Sequence, residues 1–141
     1  MSLLNNTIIE SVQHLKSIDR KYDYREMDRY IGVLPEGFCQ DNILIAVELF
    51  GKDFRKLFEV YEGVIVDTDG HEYYHWAIGR NGKIIEITYL PWLDNKVHHY
   101  IMKQVSIRAF INEWGYINDD YPISPLYARH ILKTCLEYID T

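Results

Sequence analysis

The spacing of apolar residues changes character several times along this chain. Between residues 7 and 20, Ile8, Val12 and Leu15 recur at helical spacing with charged residues between them, which predicts an amphipathic helix. A second, shorter helix is predicted over 23–31, with Asp23 as its N-cap. Pro35 and the flanking Gly32 and Gly37 then break the pattern into a loop. From Cys39 to Phe50, apolar residues (Ile43, Leu44, Ile45, Ala46, Val47, Leu49) cover nearly the whole helical circumference. That distribution marks a helix inside the fold rather than on its surface. Gly51 suits the position just past its end.

Beyond Gly51 the period drops towards two. Leu57 to Val66 reads as a strand, Asp67-Thr68-Asp69-Gly70 as a turn, and Glu72 to Ile78 and Lys83 to Tyr89 as two further strands. Asn81-Gly82 between the last two is a strong hairpin signal. Read as a two-residue turn, it pairs Arg80 with Lys83, Ile78 with Ile85, Ala77 with Glu86 and His75 with Thr88. His75, Ala77, Glu86 and Thr88 then share one sheet face, and Glu86 is a diagonal neighbour of His75. After Pro91-Trp92 a strand is predicted over Tyr100 to Val105. Ser106 caps a short helix to Trp114 that ends at Gly115. Ser124-Pro125 opens a terminal helix to about Tyr138. The expected fold class is α+β: a buried helix in the N-terminal half packed on an antiparallel sheet, with helices at both termini. No repeat, linker or low-complexity tract divides the sequence, so a single domain over 1–141 is expected.

Composition narrows the partners. Hydrophobic residues make up 48% and charged residues 26%, an ordinary globular balance. The formal net charge of −6 and the scatter of Lys and Arg disfavour nucleic acid and anionic membranes. No stretch approaches the length of an apolar transmembrane span, and Met1 to Glu10 lacks the basic and apolar regions of a leader. With only Cys39 and Cys135, a reducing, cytoplasmic setting and two free thiols are expected. The 12 tyrosines suit cleft walls and half-buried sheet faces alike.

Candidate chemistry centres on Cys39. Unpaired amides and the dipole at the start of a helix favour an anion, and the same amides can stabilise an oxyanion. A base is also needed, and His75 on the aromatic strand Tyr73-Tyr74-His75-Trp76 is the candidate. Glu86 on the same face would hold one ring nitrogen and leave the other towards the thiol. Each residue alone has a plainer explanation, since free cysteines are commonly small buried hydrophobes. The agreement of three placements carries the reading.

Metal chemistry is not expected. His71 and His75 lie on turn and strand, with no Cys or acid to complete a tetrahedral set. Asp67 and Asp69 lack the bidentate Glu of a calcium loop and read as a turn. Cys135 falls beside Leu132 and Leu136 as helix packing.

A helix-starting Cys, then a strand bearing His, then a turn and a strand bearing an acid, resembles the core order of papain-like and transglutaminase-like cysteine enzymes. Gly37-Phe38-Cys39-Gln40-Asp41-Asn42, Tyr61-Glu62-Gly63, His75-Trp76 and Asn81 to Thr88 look like a small bacterial and phage branch of that superfamily. The resemblance covers about residues 37–90. It implies Cys39 as nucleophile, His75 as general base and Glu86 as orienting acid, with no cofactor. The substrate would be a peptide, protein or small molecule with an amide, isopeptide or thioester carbonyl. Papain-type enzymes carry a Gln about six residues before the Cys as oxyanion donor, and Val33 stands there. Gln40 and Asn42 are the candidate replacements, and Tyr73, Trp76 and Trp92 the candidate cleft walls. The competing expectation is a non-enzymatic binding or accessory protein, built on the same scaffold with an incomplete triad.

Overall fold

Helix α1 spans Cys39–Phe50, the bounds expected from its apolar run. Ile43, Leu44, Ile45, Ala46, Leu49 and Phe50 are all buried. This computed structural model describes Gln13 and residues 39–88, 90, 93, 97–115 and 125–139. The helices expected over 7–20 and 23–31 and the loop 32–37 lie outside the described residues, apart from Gln13, which is helical.

Gly51, with φ of 55°, turns the chain out of α1 into a short 3-10 turn (Gly51–Asp53) and a four-residue helix α2 (Phe54–Leu57). Leu57 therefore ends a helix rather than beginning a strand. Phe50, Phe54 and Phe58 recur at intervals of four, and their rings meet at centroid distances of 5.1 Å (Phe50–Phe58) and 5.4 Å (Phe54–Phe58). That helical spacing of aromatics holds the segment against its β propensity.

Four strands follow: β1 (Glu59–Asp67), β2 (Glu72–Arg80), β3 (Lys83–Ile85) and β4 (His98–Val105). They form one antiparallel sheet in the order β3-β2-β1-β4. Asn81 and Gly82 both have positive φ, 53° and 80°, as a type I′ hairpin turn requires. The register pairs Arg80 with Lys83 and Ile78 with Ile85. β3 stops at Ile85 instead of reaching Tyr89, because the Thr88 amide donates to Glu86 Oε2 at 3.1 Å. A side chain that captures nearby backbone donors competes with the ladder. β4 starts at His98, two residues earlier than expected, through pairing with Asp67 and Val66 of β1.

The two sheet faces bury different things. Val60, Trp76, Ile78 and Ile85 join the main core with α1, helix α3 (Ile107–Trp114) and helix α4 (Pro125–Ile139). Ile65 of the opposite face packs with Leu90 and Leu93 against Tyr73 and Tyr100. α3 is capped by Ser106, whose Oγ accepts from the Ala109 amide. The protein is thus α+β, a four-stranded antiparallel sheet with helices. Among the described residues, no helix is long and apolar enough to cross a membrane.

Candidate functional site

Cys39 is the first residue of α1 and is partly exposed. Its Sγ donates to Gln40 Oε1 at 3.1 Å. His75 sits in the middle of β2, opposite Gly63 of β1, and is buried. Gly63 is required there by close approach: a Cβ would lie 2.7 Å from the Met102 Cα and collide with the Ile101 carbonyl of β4. The bare glycine lets β4 close in behind His75, which carries Tyr100 towards the hairpin.

Glu86 is the hub. Its Oε1 meets His75 Nε2 at 2.7 Å and accepts from the Tyr100 hydroxyl at 2.9 Å. Its Oε2 accepts from the Thr88 amide. Thr88 Oγ1 in turn accepts from Asn42 Nδ2 at 3.0 Å, which ties the hairpin back to α1. The Cys39 thiol, whose own hydrogen bond goes to Gln40, is near enough to the His75 ring to act on its pKa. With Nε2 committed to Glu86, the ring nitrogen left for the thiol is Nδ1.

The electrostatics follow from this geometry. Burial alone would lower the His75 pKa, but the hydrogen bonds to Cys39 and Glu86 and the charges of both lift it to about 9. The ring therefore keeps its proton through neutral pH. The Tyr100 hydroxyl is pushed up by burial and by the Glu86 charge, so it stays a donor to that carboxylate. Burial also pushes up the thiol of Cys135, which is fully enclosed in the core.

The sequence expectations fare differently residue by residue. The structure brings Cys39, His75 and Glu86 together. Gln40 stands beside the sulfur and presents its carboxamide to it; half a turn of that group would exchange acceptor for donor. Asn42 is fully buried and engaged with Thr88, so it fastens α1 to the hairpin rather than facing the sulfur or the helix surface. Trp76 is not a cleft wall. It is adjacent to His75 on a strand, so it points to the other face, where it packs on Phe110 and Trp114 at 5.3 and 6.0 Å. Tyr73 does share the His75 face and lies against the Ile65–Leu90–Leu93 cluster. Trp92 lies outside the described residues.

His71 has acidic company after all, because the β1–β2 turn gathers donor atoms of Asp67, Asp69 and His71 within 4.8 Å of one another. Asp67 serves the turn itself, accepting from the amides of Asp69 and His71 and from the Tyr73 hydroxyl. Burial would raise its pKa, but those hydrogen bonds, with His71 alongside, hold it below the usual carboxylate range.

Sequence reasoning missed Tyr100 as a partner of Glu86, and it missed a cavity of about 300 Å³ that opens beside both. Period-two alternation along β4 groups Tyr100 with His98, but only the β1–β4 register brings that face to Glu86. The chain matches none of the family models, curated proteins or solved structures with which it was compared, so its own residues carry the functional argument.

Proposed function

We propose that this chain is a cysteine-dependent hydrolase or acyl transferase of the papain-like and transglutaminase-like type, acting on an amide, isopeptide or thioester carbonyl. The observation that carries the reading is the 2.7 Å contact of His75 Nε2 with Glu86, on a ring whose pKa is raised by Cys39 at the start of a buried helix. In the reacting form the proton of the Cys39–His75 pair already rests on the ring, and the sulfur attacks the carbonyl carbon to form a tetrahedral adduct. The adduct's oxyanion finds the amides at the start of α1 and the Gln40 carboxamide. On collapse, the bond to the leaving amine or thiolate breaks and His75 returns the proton to that group. A thioester remains on Cys39. Water, or an acceptor amine, then gives its proton to His75 as it attacks the thioester, and the thiol is restored. Glu86 fixes the ring tautomer and stabilises the imidazolium throughout.

Two unpaired thiols are in keeping with a reducing, cytoplasmic setting. The second reading, a binding or accessory protein with an idle triad, draws its support from Asn42, which is fully buried against the hairpin at Thr88 and so withdrawn from oxyanion duty. An activated ester separates the two. Incubation with p-nitrophenyl acetate should leave one acetyl group on Cys39 by intact mass, absent in Cys39→Ala and strongly reduced in His75→Ala. Acetylation that is equal in wild type and His75→Ala would end the enzymatic reading.

A further inference from the structure

The cavity of about 300 Å³ beside the candidate triad is walled by Glu86, Tyr100, His98, His130, Leu90 and Leu93, and neither Cys39 nor His75 contributes to it. Its volume is at the small end of ligand sites. Leu90 and Leu93 are buried and give it an apolar part. The polar part is rich in acceptors. Glu86 has one oxygen occupied by His75 and Tyr100, while the other, among the described residues, takes only the Thr88 amide. A carboxylate oxygen has room for a second donor, and the Glu86 side chain is 24% exposed. His130, on α4, is held below its ordinary pKa by burial and by Lys133, against the opposing pull of Glu137, so its ring is neutral and offers a lone pair. An anion entering this space would meet the Glu86 carboxylate, whereas an ammonium would find an acceptor in Oε2 of a carboxylate whose charge is shared with the His75 imidazolium. A primary ammonium offers three donors on one small head, and a short alkyl body matches the two leucines.

We propose that this cavity is a binding site for a small primary ammonium compound, its head on Glu86 and its apolar body on Leu90 and Leu93. The site does not depend on Cys39 being catalytic, so its failure and that of the enzymatic reading are separate results.

Calorimetric titration of the full chain with n-butylammonium chloride, sodium butyrate and n-butanol tests it. Butylammonium is expected to bind at least about tenfold more tightly than either other probe. Filling the cavity with His130→Trp or Leu93→Phe, in whichever variant keeps the wild-type circular dichroism, is expected to weaken that binding by about tenfold or more. Nuclear Overhauser contacts between the butyl chain and the Leu93 methyls in the unsubstituted protein read the site without any substitution. Absence of binding by all three probes, butyrate binding as tightly as butylammonium, unchanged affinity in a folded cavity-filled variant, or missing Leu93 contacts each overturns the proposal.

Discussion

Replacing Glu86 by Gln leaves a carbonyl oxygen able to accept from His75 Nε2 but removes the charge beside the ring. In the wild type, that charge and its hydrogen bond act with Cys39 against burial to lift the His75 pKa to about 9. Two opposite charges about 4 Å apart attract by roughly 4 kcal/mol at an effective dielectric constant near 20, or about 3 pKa units. Glu86 is 24% exposed and divides its acceptor capacity among His75, Tyr100 and Thr88. The effective loss should therefore be smaller, about 1–2 units. Long-range proton–nitrogen NMR correlations of the imidazole, followed across pH in wild type and Glu86→Gln, measure it directly. The variant should titrate lower, in the direction burial alone dictates. A His75 ring that titrates within about 0.3 units of wild type would refute the electrostatic role of Glu86.

Three other outcomes follow from the same contacts. The folded pKa of His75, about 9, lies above its ordinary 6.5, so its stabilisation is fully present below 6.5 and lost as pH rises through 9. Urea unfolding should show a loss of up to roughly 3 kcal/mol across that window, and an equal loss in His75→Gln would assign it to other groups. Gly63→Ala drives a methyl group into the β4 backbone at Ile101 and Met102 and should cost about 2–4 kcal/mol in guanidinium unfolding; stability equal to wild type would contradict the close approach. Asn42→Ala strands the Thr88 hydroxyl in a buried setting and should cost about 2 kcal/mol. Were Asn42 an oxyanion donor instead, acyl transfer to Cys39 would fall with stability unchanged.

Where the chain speaks through local chemistry, its structure could be read directly. The apolar circumference of residues 43–50 marks α1 as interior, and its bounds match. Asn81-Gly82 specifies the β2–β3 register, and that register alone brings Glu86 to the His75 face. Period-two alternation also opposes Trp76 to His75, which sends Trp76 into the core against Phe110 and away from the cleft. The early end of β3 was hidden because one side chain, Glu86, takes an amide that the ladder would otherwise use. Leu57 was misplaced because the four-residue spacing of Phe50, Phe54 and Phe58 outweighs local β propensity. Tyr100 and the cavity depend on how β4 docks beside β1, across a connection too long for a two-residue hairpin turn to set its register.

The enzymatic reading rests on the sulfur of Cys39 and the ring of His75 acting as one acid–base pair. Alkylation by iodoacetamide near neutral pH, with Cys39 and Cys135 resolved by peptide mass, tests that pairing. Cys39 should react far faster than the enclosed Cys135 in the wild type, and about tenfold or more slowly in a folded His75→Ala variant. Equal Cys39 rates with and without the imidazole would contradict the account.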